Sequence, residues 1–196
     1  PEALLALLKR KVDLATDPQD QLPIYDEIAF LAQHAAGDLE TAFEAQQARF
    51  RLVPAHRATW NELEQLAEQL GAWDILAPLW RDALSGGGVS EPRPFKPLDK
   101  RGDRNALRLA LARVLGENEG DVEERIELYE AVIRESNDAS EHPDLYDRLE
   151  ELYRHRGDLA SVADVLVRAS KIAIVMAGRR GKLRQAAEIT VEHLGD

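Results

Sequence analysis

The most constraining feature of this chain is a glycine that recurs between stretches of helical periodicity, at Gly37, Gly71, Gly120, Gly157 and Gly195. Successive glycines are 34, 49, 37 and 38 residues apart, and an aspartate directly follows four of them. Glycine ends a helix easily because it adopts positive φ without a Cβ clash, and aspartate caps the next helix by accepting hydrogen bonds from its free N–H groups. So short a linker folds two helices back on each other. The pattern therefore predicts helical hairpins, with a weaker cap where Ala72 replaces the aspartate.

The segments around these glycines carry apolar residues on one face of a helix. Strand-like alternation is nowhere sustained, and strong helix formers dominate, so an all-α fold is expected. Three apolar stripes illustrate the periodicity: Trp60, Leu63, Leu66, Ala67 and Leu70; Val122, Ile126, Tyr129 and Ile133; and Leu145, Leu149, Leu152 and Tyr153.

The layout resembles the tetratricopeptide repeat (TPR), a 34-residue helix-turn-helix unit. In 57–90, Trp60 and Leu63 match the W-x-x-L opening and Gly71 matches the turn, whereas Glu64 occupies a position where the family prefers a small residue. The resemblance implies one right-handed superhelical αα-hairpin solenoid of about ten helices over 1–196. Its repeats would be 1–16 (partial), 23–56, 57–84, 103–136, 143–175 and 179–196 (partial), with an inserted loop at 85–102.

The resemblance also implies a binding surface, because TPR proteins hold peptides in a concave groove lined by the first helix of each repeat. The third, degenerate copy would add Leu107, Ala110, Val114, Glu117 and Asn118 to that groove. No copy supplies the lysine with which chaperone-tail-binding TPR domains hold a carboxylate. Carried over from the other copies, the groove residues are Glu27, Leu31 and His34; Asn61, Gln65 and Glu68; and Asp144, Asp147, Glu151 and Arg154.

Charge is unevenly distributed along the chain, whose formal net charge is −11. That balance argues against nucleic-acid binding, which depends on lysine and arginine neutralising phosphates. Residues 117–151 hold 14 acidic and 3 basic residues, whereas 165–187 hold six basic residues and no acidic one. These segments are interpreted either as solvated helix faces or as an acidic surface for a basic partner.

The sequence offers only weak candidates for a catalytic, phosphate-binding or metal site. The chain has no cysteine, which excludes disulfides and thiol chemistry, and no Ser-His-acid arrangement or phosphate-binding loop is recognisable. Glu151 and His155 lie one helical turn apart, but a solvated pair is favoured over a metal site. Trp73 and Trp80 share a helix face and are predicted to lie in the core, with lining of a ligand surface as the alternative. Asp103 is predicted to be the N-cap of a helix over 104–116.

The function expected from this pattern is a non-catalytic protein-interaction scaffold that binds a protein or peptide, without cofactor, metal or membrane insertion. A peptide-sensing regulatory module of a larger protein is the alternative, and an enzyme with 85–102 as a lid ranks below both. Residues 165–196 also align with 7–38 at an offset of 158, including the Gly-Asp pair at each end. The final Gly195-Asp196 pair is thus expected to be the turn of a further hairpin, whose second helix would follow residue 196.

Overall fold

A computed structural model describes residues 1–86, 98–117, 121–136, 138–172 and 176–194. Within those ranges every regular element is helical, which confirms the all-α prediction. A 3₁₀ turn at Ala139–Glu141 and π-helical turns at Ala32–Ala36 and Thr190–Leu194 complete the described elements. Across the described ranges, the α-helices are α1 (Glu2–Leu14), α2 (Pro18–Leu31), α3 (Leu39–Leu52), α4 (Arg57–Leu70), α5 (Trp73–Ser85), α6 (Arg101–Glu117), α7 (Val122–Glu135), α8 (Asp144–Arg156), α9 (Leu159–Ile172) and α10 (Met176–Ile189).

The chain divides into two compact units, residues 1–119 and residues 120–196. Unit 1 contains α1 to α6 and unit 2 contains α7 to α10. Within each unit, every helix packs against the one that follows it in sequence. This sequential packing is typical of a helical-hairpin solenoid, in which each hairpin is covered by its neighbours.

Three of the recurring glycines have the predicted backbone geometry. Gly37, Gly71 and Gly157 have φ values of 70°, 67° and 76°, and each ends a helical segment. The Asp38 carboxylate accepts a hydrogen bond from the Thr41 N–H at 2.9 Å, and Asp158 accepts one from Ser161 N–H at 3.1 Å. Each aspartate therefore satisfies a backbone donor at the start of the next helix.

Three of the five turns either lack the aspartate or include residues outside the described ranges. At Ala72 no side chain caps α5, as expected from the missing aspartate. Asp121 caps α7 by accepting from the Glu123 N–H at 2.8 Å, although Gly120 before it lies outside the described residues. The predicted turn at Gly195-Asp196 also lies outside them, as does most of the 85–102 loop.

The cores are built from the predicted apolar stripes. Trp60, Leu63, Leu66 and Ala67 of α4 are all buried, and burial of each large side chain stabilises the fold by ~1.5–3 kcal/mol. The Trp60 indole N–H donates to the Pro54 carbonyl at 2.7 Å, so its polar atom is satisfied inside the core. The stripe of α8 is likewise buried. In α7, Ile126 and Tyr129 of the predicted stripe are buried together with Val132, whereas Val122 and Ile133 are half-buried.

An arginine joins three helices of unit 1. The Arg49 guanidinium on α3 pairs with Asp26 of α2 at 2.5 Å and donates to His56 Nδ1, at the start of α4, at 2.8 Å. It also contacts the Thr59 hydroxyl. Arg49 is mostly buried, so this network fixes the register of α3 against both neighbours.

The 158-residue offset seen in the sequence recurs in the structure. In each unit an α-helix is followed directly by a π-helical turn, and the two copies have the same lengths. Adding 158 to the residue numbers of the first copy gives those of the second. Equal local patterns thus produce equal local structures in the two units. The pairs are α2 with α10, and Ala32–Ala36 with Thr190–Leu194; α1 and α9 end at Leu14 and Ile172.

Two helices begin earlier than the sequence-based bounds. α2 begins at Pro18, ahead of the repeat boundary at 23, because Asp17 caps it and proline suits the first helical position. α6 begins at Arg101, so Asp103 lies in the first turn and the prediction that it is the N-cap is wrong. There its carboxylate pairs with Arg57 of α4 at 3.3 Å.

Candidate partner-binding surface

The ten predicted groove residues form what we call the first-helix surface, because they lie on α2 with its π turn, on α4 and on α8. Nine of them are exposed and Leu31 is half-buried. The opposite stripes of the same helices are buried, so these positions are free to contact another molecule. The set is divided between the units: the residues of α2 and α4 lie in unit 1 and those of α8 lie in unit 2.

On α2, the surface borders a cavity at the junction with α1. The cavity has a volume of about 500 Å³, and Glu27, Ile24 and Leu14 are among its lining residues. One turn further on, the His34 ring lies 4.8 Å from the ring of Phe30, which is itself exposed. This part of the surface therefore combines one carboxylate with exposed aromatic and aliphatic groups.

On α4, the surface borders a second cavity, of about 180 Å³, between α4, α5 and α6. Glu68 is one of its lining residues, and Glu64 and Arg113 form an ion pair at 2.6 Å across it. Glu64 is the more buried partner, with 20% of its side chain exposed against 58% for Arg113. Burial raises the pKa of Glu64, although the Arg113 guanidinium opposes that shift.

Two residues of this cavity differ from their sequence-based interpretation. Trp73 is half-buried and lines the cavity, whereas Trp80, on the same face of α5, is fully buried as predicted. Arg113 was not identified as a surface residue, because only its contact with Glu64, 49 residues away, distinguishes it from other arginines on α6. The one sequence signal was Glu64 itself, a large charged residue at a position where a small one is expected.

On α8, neighbouring basic side chains partly compensate the acidic surface. Asp147 pairs with Lys182 of α10 at 2.8 Å, and Arg154 pairs with Glu150 on its own helix at 2.9 Å. Asp144 pairs with Arg148 at 3.5 Å. Within the described ranges, Glu151 has no ion-pair partner, so it is the carboxylate of this part of the surface that is most available to a ligand.

A network of hydrogen bonds joins α7, α8 and α9 within unit 2. The Arg168 guanidinium of α9 donates through both terminal nitrogens to Glu130 of α7 at 2.9 Å. The Tyr153 hydroxyl of α8 donates to Glu130 at 3.3 Å, and burial, together with the Glu130 charge, raises the pKa of Tyr153 to about 12. Part of the basic 165–187 segment thus serves the packing of unit 2.

Among the residues that the structure describes, no three histidine or acidic side chains are grouped so that they could hold a metal ion. None of their helices is both long enough and apolar enough to cross a membrane.

Comparison with known proteins finds no matching protein family and no matching curated protein. A solved structure, the crystal structure of MamA protein, is similar to this chain with a TM-score of 0.51 and 14% sequence identity. The similarity covers 87% of this chain and 82% of that chain. MamA contains tetratricopeptide repeats. At this identity the likeness concerns the fold alone, and it supports a TPR-like helical repeat, an all-α solenoid.

Proposed function

We propose that this chain is a non-catalytic interaction scaffold that binds a protein or peptide partner through its first-helix surface. The observation that carries the proposal is that α2, α4 and α8 each have one buried face and one exposed face. One face of each helix is buried among its neighbours, and the other presents the predicted binding positions to solvent. A repeat fold is suited to this role because its stability comes from contacts between adjacent hairpins, which leaves one row of helix faces available.

The groups with shifted pKa values support a scaffold role, because their shifts have structural explanations. Hydrogen bonds from the Thr41 and Ser161 backbones lower the pKa values of Asp38 and Asp158, which are helix caps. Tyr153 and Arg168 belong to the network that joins α7, α8 and α9. A tyrosine whose pKa is about 12 is poorly matched to proton transfer near neutral pH.

The proposal can be tested by site-specific photo-crosslinking on the 196-residue chain. A photo-reactive residue replaces Gln65, on the exposed face of α4, or Glu44, an exposed residue on the second helix of the preceding hairpin. The scaffold proposal predicts that a partner crosslinks at Gln65 and not at Glu44.

Charge variants provide the matched functional comparison. Gln65→Arg should abolish partner binding, whereas Glu44→Arg should retain it even though it changes charge more. Far-ultraviolet circular dichroism checks that both variants keep their helices. Crosslinking of equal yield at the two positions, or equal binding by the two variants, would show that the first-helix surface is not the binding site.

A further inference from the structure

The cavity between α4, α5 and α6 has a lining that differs from the rest of the first-helix surface. Six residues form it: Glu64, Glu68, Trp73, Arg113, Val114 and Glu117. They combine one aromatic ring, one aliphatic side chain, three carboxylates and one guanidinium. The cavity lies at the edge of the first-helix surface, because Glu68 belongs to both.

Two large charged residues lie beside this cavity. Glu64 directly precedes the surface residue Gln65 on α4, and Arg113 directly precedes the corresponding Val114 on α6. In the repeat pattern the Glu64 position favours a small side chain, which lets adjacent first helices approach closely. Here two long side chains meet instead, at 2.6 Å, and a cavity of about 180 Å³ lies beside them.

The charge of the cavity is unbalanced. Arg113 is compensated by Glu64, with which it forms the ion pair. Glu68 and Glu117 are both exposed, and within the described residues neither forms an ion pair. The open part of the cavity therefore carries two uncompensated carboxylates.

The aromatic ring of Trp73 favours a cationic ligand over other ligands in this cavity. Its ring is half-buried and lines the cavity that these carboxylates share. A guanidinium group gains energy over the face of a tryptophan ring, and its planar set of donors also suits carboxylate acceptors. An apolar or anionic side chain would gain nothing from Glu68 and Glu117, and a neutral donor would gain hydrogen bonds without the attraction between opposite charges.

We propose that this cavity receives the guanidinium group of an arginine side chain from the bound protein or peptide. The arginine would lie against Trp73 and donate hydrogen bonds to Glu68 and Glu117. This assignment rests on the proposed scaffold function and names the chemistry that the α4 part of the surface recognises.

The test is an NMR titration of the ¹⁵N-labelled 196-residue chain with the peptide acetyl-Ala-Ala-Arg-Ala-Ala-amide at low ionic strength. The control peptide carries citrulline, which has nearly the shape of arginine without its charge. The Trp73 indole signal is identified by its loss in Trp73→Phe. We expect this signal to shift saturably with the arginine peptide and not with the citrulline peptide.

Variants then separate this site from general attraction to an acidic protein. Glu68→Gln/Glu117→Gln should weaken arginine-peptide binding about fivefold, which is the order expected for two exposed charge contacts. Glu127→Gln/Glu141→Gln removes the same charge from exposed positions of unit 2 that lie outside the first-helix surface, and should leave the affinity unchanged. An equal response to citrulline, no saturable Trp73 shift, or equal weakening by both double variants would overturn the assignment.

Failure of this assignment can be distinguished from failure of the scaffold proposal. If a partner crosslinks at Gln65 but Trp73 does not respond to the arginine peptide, the assignment is wrong and the scaffold proposal stands. If Trp73 responds as described but Gln65 captures no partner, the guanidinium site stands and the scaffold proposal is wrong.

Discussion

Two glycines of unit 2 should respond in opposite directions to the same substitution. Gly157 ends α8 with φ 76° and ψ 14°, in the left-handed region, whereas Gly181 lies inside α10. A Cβ atom added at either position would meet no heavy atom within 4 Å. Contacts therefore cannot decide the outcome, and backbone conformation alone sets the sign of the change.

The magnitudes follow from the two conformations. At Gly157, an alanine would cost about 1–2 kcal/mol in the left-handed region, partly offset by about 0.4–1 kcal/mol because it also restricts the unfolded chain. We therefore expect Gly157→Ala to lower the free energy of unfolding by about 1 kcal/mol. At Gly181, the higher helix propensity of alanine should raise it by about 1 kcal/mol.

Urea unfolding followed by far-ultraviolet circular dichroism measures both changes. All three tryptophans lie in unit 1, so tryptophan fluorescence monitors the unit that carries neither substitution. Gly157→Asn is a useful control, because asparagine tolerates the left-handed conformation better than alanine and should lose less stability.

The reasoning would be refuted by a shift of the same sign in Gly157→Ala and Gly181→Ala. It would also be refuted if Gly157→Asn were less stable than Gly157→Ala, because the left-handed backbone would then not control stability at this turn.

Three further predictions concern caps and buried charge. Asp158→Ala should cost about 1 kcal/mol at neutral pH. The Ser161 hydrogen bonds lower the Asp158 pKa below 3.8. The stability cost of Asp158→Ala should therefore be present above pH 3.8 and disappear as the pH falls through the folded-state pKa. Urea unfolding at several pH values measures this change. Ala72→Asp should supply the missing cap of α5 and raise the free energy of unfolding by about 0.5–1 kcal/mol. The measurement is the urea midpoint of the tryptophan fluorescence transition, which should rise accordingly. Because burial raises the pKa of Glu64 above 4.5, the stability of the wild type relative to Glu64→Gln should be highest below pH 4.5 and decline as the pH rises through the folded-state pKa, in a matched pH series.

Each of these has a control and a contradicting result. Asp158→Asn keeps an acceptor that does not titrate, so the stability difference between Asp158→Asn and Asp158→Ala should be nearly independent of pH. A loss of stability in Asp158→Ala that is the same at every pH would contradict the capping explanation. Ala72→Asn supplies an uncharged cap, and equal stability of Ala72→Asp and the wild type would show that the turn needs none. A Glu64→Gln difference that grows with pH in favour of the wild type would mean that the Arg113 pair outweighs burial.

Prediction from the sequence succeeded where the determining atoms are close together along the chain. The turn at Gly37-Asp38 depends on one positive φ and on one hydrogen bond to the Thr41 N–H, all within five consecutive residues. The apolar stripe of α4 is likewise a local pattern, and Trp60 and Leu63 are buried as it predicts. The missing cap at Ala72 could be inferred for the same reason.

Prediction failed where a side chain's role depends on a distant partner. The Glu64–Arg113 pair joins residues 49 positions apart, and the Glu130–Arg168 pair joins residues 38 positions apart. Half-burial of Trp73 follows from the cavity beside that first pair, so periodicity could not distinguish Trp73 from the fully buried Trp80.

The sequence by itself thus determined the helical hairpins, their turns and the faces they bury, because backbone conformation, capping and apolar periodicity act over a few residues. Only the tertiary structure decided which charged side chains meet, where Asp147 finds Lys182, and where a cavity opens beside Trp73. The physical reason is that ion pairing and cavity formation depend on how separate helices pack, and no local pattern specifies the identity of a neighbour across that packing.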